Sequence, residues 1–335
     1  MPAPDAVPAP DARPAADAGP APEPQRPPEQ PQRGVGRGSH TGLSSADSPP
    51  RASAPHGGAP GYDPRRTLPL RVELRRQLGR NRTRITLGLL VVLPLLLVAA
   101  FKLGGSAPDR NGQVTLVDFA TVGAANFALF AVFASSGFLL VIVVALFCGD
   151  TVASEAGWSS LRYLLISPVG RARLLRRKLT VSLGLSGFAL VLLPVVSLLA
   201  GWAAFGWHPV QSPTGAGLGT GAALVRLAII VGYLAVSLTF VAALAFYAGV
   251  STDAPLGAVG GTVLIVIVST ILDNVTALGG LRDWLPTHYA DAWLDALDPS
   301  VQWDAMLRGT LSALVYSTVL FALAWRHFLR KDIVS

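Results

Sequence analysis

Six stretches of this chain are too apolar for water and close to the roughly 20 residues needed to cross the hydrocarbon of a bilayer. They lie at about 85–103, 127–147, 179–200, 224–249, 257–275 and 308–326. In lipid a helix satisfies its backbone polar groups within the segment, so apolar runs of this length are read as helices. The expected fold is therefore an all-α polytopic membrane protein with six transmembrane helices over 64–335. Pro94 and Pro194 fall inside two of the spans, where neighbouring helices take up the freed carbonyls.

Charge supports the same conclusion. Only 14% of the residues are charged and 51% are hydrophobic, against about 25% charged in soluble domains. The net charge of +7 is modest, and the basic residues cluster beside the spans, which favours lipid headgroups over nucleic acid. The single cysteine, Cys148, sits in an apolar context and reads as a small buried hydrophobe. No disulfide can form within the chain, and no zinc spacing occurs.

Basic residues also set the orientation. Arg65, Arg66, Arg71, Arg75, Arg76, Arg80, Arg82 and Arg84 precede the first span. Arg162, Arg171, Arg173, Arg176, Arg177 and Lys178 lie between spans two and three, and Arg326, Arg330 and Lys331 follow span six. With six spans all three groups fall on one side, which the positive-inside rule makes cytoplasmic. Both termini are then expected in the cytoplasm of a multi-pass cell-membrane protein.

The segment 1–63 is rich in Pro, Ala and Gly, with almost no large apolar residue, and is expected to be disordered. It reads as a dispensable tail or as a tether. The segment 65–84 differs. Leu70, Leu74 and Leu78 recur every fourth residue among the arginines, the pattern of an amphipathic helix lying on the membrane surface. The competing reading is a basic flank that only fixes topology.

The one long polar interruption with an acidic start and a basic end runs from Gly149 to Lys178. Asp150 is placed to cap a helix starting near Thr151. Ser167-Pro168 ends that helix, Gly170 allows a turn, and a second helix begins at Arg171 and runs into span three. Leu161, Leu164 and Leu165 share one face, with Trp158 close to it. Glu155 on its own reads as a solvated acid stabilising its helix.

These residues resemble a family. Glu155-Ala156-Gly157, Leu161 to Leu165, Ser167-Pro168-Val169, Arg171 and Lys178 are similar to the E-x-G-T…LL…P-V-x-R…K loop of ABC-2 type permeases. Phe328-Leu329-Arg330-Lys331-Asp332-Ile333 is similar to the F-x-R-R-D-I tail common among them. Trp158 stands where the family has Thr. The resemblance implies an exporter permease whose coupling loop, with Glu155, Gly157, Trp158, Leu161, Leu165, Pro168 and Arg171, docks on a separate ABC ATP-binding subunit. It also implies two copies, or a paired permease, around the pathway. ATP would be bound by the partner, and the chain itself has no G-x-x-x-x-G-K-[ST] motif. The glycine run from Gly215 to Gly221 lacks the lysine and reads as a flexible loop.

On the opposite side, Trp284, Tyr289, Trp293, Leu294, Leu297 and Trp303 interleave with aspartates. They suggest a short re-entrant or surface-lying helix, with the aromatics as an interfacial belt or, alternatively, an exit gate. Asp273 and Arg226 sit near span ends, where pairing or snorkelling explains them. Proton- or sodium-coupled transporters need carboxylates near the midplane. The spans carry none, which disfavours a secondary transporter or channel. An intramembrane enzyme is disfavoured as well, since all five histidines lie outside the spans and no catalytic motif occurs. No catalytic, metal or cofactor residue is assigned. The cargo is read only as amphipathic: a drug, an antibiotic or a lipid.

Overall fold

A computed structural model describes residues 69–104, 116–157, 171–211 and 217–330. The N-terminal tail, residues 158–170 and the last five residues lie outside them. The fold is all-α. Helix α1 (Leu70–Leu78) leads through Gly79 and Arg80 into α2 (Asn81–Gly104), and a short α3 (Leu116–Thr121) precedes α4 (Ala124–Ser136) and α5 (Leu139–Gly157). Then come α6 (Arg171–Phe205), α7 (Thr220–Ser237), α8 (Thr239–Ser251), α9 (Pro255–Asp273) and α10 (Asp304–Arg330). Two 3₁₀ helices, Thr276–Trp284 and Ala292–Leu297, lie between α9 and α10. Two residues on each side, Val210–Gln211 and Gly217–Leu218, form a small antiparallel bridge between α6 and α7.

Among the described residues, α2, α6, the joined pair α7 and α8, α9 and α10 make five segments long and apolar enough to span, and α4 with α5 makes a sixth span bent by 59°. The bend falls at Gly137 and Phe138, directly after Ser135 and Ser136. The Ser136 hydroxyl donates to the Phe133 carbonyl within the last turn of α4, a local bond that competes with the helical ladder. The fourth span is α7 with α8, joined through Leu238.

Helix α5 is the packing centre, lying against α6, α8 and α9, while α8 also packs on α10 and α6 on α4 and α2. Leu140, Val144, Leu193, Ile230 and Phe246 fill the core. The outward faces are apolar too: Ile85 and Leu96 on α2, Leu264 on α9 and Leu311 and Val315 on α10 are all more than half exposed. Surfaces of that kind suit lipid tails or a second apolar chain, not water.

Helices α5 and α8 meet at two glycines. A Cβ on Gly249 would run into the backbone carbonyl of Gly149, and one on Gly149 would lie 3.3 Å from Val259 Cγ2. Small residues let membrane helices approach this closely. Gly249→Val is therefore expected to force the helices apart and lower stability by about 1–3 kcal/mol, the usual range for overpacking. Gly232→Ala, where a Cβ meets nothing within 4 Å, is expected to leave the thermal midpoint of the detergent-solubilised protein unchanged or higher.

Candidate functional site

The segment that the sequence suggests as a coupling loop runs between two roots, the end of α5 and the start of α6. Helix α5 carries the span unbroken through Asp150 and Thr151 to Gly157, and α6 starts again at Arg171. Glu155 and Gly157 lie in the last turn of α5, and Arg171 opens α6. Trp158, Leu161, Leu165 and Pro168 lie outside the described residues.

Asp150 does not cap a new helix. It sits inside α5 because the buried face of that helix continues past it through Thr151, Val152 and Ala153. Its carboxylate instead accepts from two arginines at the α1–α2 junction. Arg80 Nη1 lies 3.0 Å from Oδ2, and Arg82 Nη1 lies 2.8 Å from Oδ1. The same Arg80 nitrogen donates to Ser154 Oγ at 2.8 Å.

One helical turn earlier on α1, a second set of contacts reaches the other root. Glu73 is fully buried, and Lys178 of α6 is 1% exposed. Lys178 Nζ lies 3.3 Å from Glu73 Oε1 and donates to the Thr151 carbonyl at 3.3 Å. Gln77 Nε2 donates to the same Glu73 oxygen at 3.2 Å and to Thr151 Oγ1 at 2.8 Å. Glu73 Oε2 has no hydrogen bond, and Arg76 Nη1 stands 3.8 Å from it.

The spacing of α1 explains this arrangement. Glu73, Gln77 and Arg80 are three and four residues apart and share one face, turned toward α5 and α6. Leu70, Leu74 and Leu78 occupy another face and are exposed. The helix is thus amphipathic in an unusual sense, with its polar stripe buried in protein and its leucines outward. A buried ion pair needs further hydrogen bonds to offset desolvation. Gln77, Thr151 and the α5 backbone supply them. The result is a polar strap from α1 to the ends of α5 and α6 that flank residues 158–170.

A family model described as ABC-2 family transporter protein matches residues 78–252, more than half of the chain. The chain belongs to that family. The match runs from the end of α1 through α8 and takes in both roots, Asp150 with Thr151 and Lys178. No curated protein matches the sequence. As a member of the ABC-2 family the chain is a multi-pass membrane transport subunit of the permease type.

The far end of this ABC-2 permease is built differently from its sequence expectation. The segment between α9 and α10 forms the two 3₁₀ helices where the sequence suggested one short re-entrant or surface-lying helix. Its aromatics divide. Trp284 and Trp303 are exposed, as belt residues would be, whereas Trp293 is fully buried beside Phe133, with ring centroids 6.1 Å apart. Arg226 of α7 donates to the carbonyls of Ala296, at 3.0 Å, Asp298 and Pro299, which end the second 3₁₀ helix. Tyr233 donates to the Tyr289 carbonyl and Tyr316 to that of Trp284. His288 Nδ1 lies 2.6 Å from Asp273 and Nε2 lies 3.3 Å from Asp283. Arg226 and Asp273 therefore tie down this segment. Among the described residues, no group of three or more His, Cys, Asp or Glu side chains is arranged to hold a metal ion.

Proposed function

We propose that this permease is the transmembrane half of an exporter in the cell membrane, with both termini cytoplasmic. A separate ABC ATP-binding subunit drives it by pressing on the segment from Glu155 to Arg171. The observation that carries the reading is the strap itself. Glu73, Gln77 and Arg80 bind one surface helix to the last turns of α5 and the first turns of α6, the two helices on either side of residues 158–170.

A push on a loose loop would be absorbed by its own flexibility. Here the roots are held to each other and to α1 by buried charge and hydrogen bonds. Displacement of the segment between them therefore moves the ends of α5 and α6 as one body. Because α5 also packs on α8 and α9, the movement reaches the rest of the bundle. ATP binding and hydrolysis belong to the partner, and this chain supplies positioning alone. Two copies, or a second permease, complete the pathway, and the exposed apolar faces of α2, α9 and α10 suit such a contact. An amphipathic cargo such as a drug, an antibiotic or a lipid fits the apolar character of the spans.

The test is co-expression with the ATPase, comparing wild type with Glu155→Ala and Arg171→Ala. Each truncation of an interface anchor removes about 1–2 kcal/mol, which is about tenfold in affinity. Co-purified ATPase and ATP-dependent transport are expected to fall accordingly. Undiminished transport and ATPase recovery in both variants would refute the coupling role. Transport by the purified chain alone, driven by an ion gradient, would refute the exporter reading as a whole.

A further inference from the structure

We infer a binding site for the headgroup of one anionic phospholipid in the notch between α1 and α2. The notch has a volume of about 350 Å³ and is lined by Arg71, Leu74, Arg75, Leu78, Gly79 and Arg84. It exists because the chain turns at Gly79, where a Cβ would lie 3.2 Å from the Arg75 carbonyl. The turn sends α2 away from the leucine face of α1 and brings Arg84 back over it.

Among the described residues, three cations meet there without a local counter-charge. Arg71, Arg75 and Arg84 are all exposed. Arg84 Nε caps α1 by donating to the Leu78 carbonyl at 3.0 Å. Among the described residues, the side chains of Arg71 and Arg75 and the terminal nitrogens of Arg84 have no partner. The acid of α1, Glu73, is on the opposite face and fully buried against Lys178. The other arginines of the junction are engaged elsewhere: Arg80 and Arg82 hold Asp150, and Arg76 approaches Glu73.

The floor decides between a lipid and a dissolved anion. Leu74 and Leu78 are exposed within the notch, and α2 leaves it with Ile85 and Leu89 exposed on its surface. A free phosphate gains nothing from apolar walls. A phospholipid fits both parts, its phosphate among the three guanidinium groups and its chains along the leucines and α2. Such a lipid would add weight to the exposed side of α1 while the strap holds the buried side. The site rests on the membrane-protein character of the chain and not on the exporter reading.

The test uses the full-length protein in neutral detergent, titrated with phosphatidylglycerol or phosphatidylcholine and read by native mass spectrometry. Saturable retention of one phosphatidylglycerol is expected, well above phosphatidylcholine. Arg71→Gln/Arg75→Gln is expected to weaken it about 30-fold, since each surface arginine contributes about fivefold toward an anionic headgroup. That variant leaves the Arg84 cap and the strap intact, so its thermal midpoint should match wild type. Adding Arg84→Gln should weaken binding further. Equal retention of the two lipids, or unchanged phosphatidylglycerol binding by the double variant, would overturn the site. Displacement of the lipid by millimolar inorganic phosphate would assign it to a soluble anion and overturn the lipid as occupant. No ATPase or transport is involved, so failure here leaves the exporter reading standing.

Discussion

Lys178→Met is expected to be among the most damaging single changes in this protein, lowering stability by about 3–5 kcal/mol. The substitution keeps the length and apolar stem of the side chain but removes the charge facing Glu73. The carboxylate then stays fully buried, with Gln77 as its remaining close donor and Arg76 at 3.8 Å. The penalty is that of an uncompensated buried charge, not the net worth of the pair. It follows that Glu73→Gln/Lys178→Met should recover most of the loss, because neither partner then brings an unmatched charge into the interior. A double-mutant cycle on detergent-solubilised protein, read by thermal unfolding, measures this. A Lys178→Met protein as stable as wild type would show that the pair does not form. The double variant also separates fold from function: it is expected to fold, and under the coupling proposed above its ATP-dependent transport should fall, because a neutral contact holds α1 to α6 more loosely.

The spans were legible in the sequence because their signal is local. Twenty apolar residues in a row mean the same thing wherever the chain goes. The amphipathic character of α1 was legible for the same reason, from Leu70, Leu74 and Leu78. Its polar partners were not. Glu73 and Lys178 are 105 residues apart, and Arg80 and Asp150 are 70 apart. No periodicity along the chain says which charges meet across such distances. Nothing in the local sequence marks Glu73, a lone carboxylate among eight arginines, as the fully buried acid on which the strap depends.

The reading of Asp150 failed for a related reason. The run Gly149-Asp150-Thr151 has the composition of a helix start, and its polarity suggested that the span had ended. Helix α5 continues because Cys148, Thr151 and Ala153 lie fully buried around Asp150, so the polar residues sit in a packed interface instead of a loop. Backbone preference for a cap is about 1 kcal/mol. Two guanidinium groups on one carboxylate, together with the packing of α5 against α6 and α9, outweigh it.

Trp293→Ala is expected to lower stability by about 3–5 kcal/mol, the range for deleting a large buried aromatic. The side chain has no exposed surface and packs against Phe133 in the last turn of α4, just before the bend of the second span. Interleaving of tryptophans with aspartates suggested an interfacial belt, and burial distinguishes this residue from its neighbours. Its indole N–H is also buried without a hydrogen-bond partner. An unmet donor of this kind costs about 1–3 kcal/mol. Trp293→Phe removes the donor and keeps most of the ring, so it is expected to be much milder than Trp293→Ala, and close to neutral where the donor penalty offsets the lost volume. Trp284→Ala, at a side chain 76% exposed, should leave the thermal midpoint within about 0.5 kcal/mol of wild type. Equal effects at Trp284 and Trp293 would return both to the interface belt. The expected order, with alanine at Trp293 far below the other two variants, makes Trp293 the wedge between the bent second span and the segment that Arg226 holds in place.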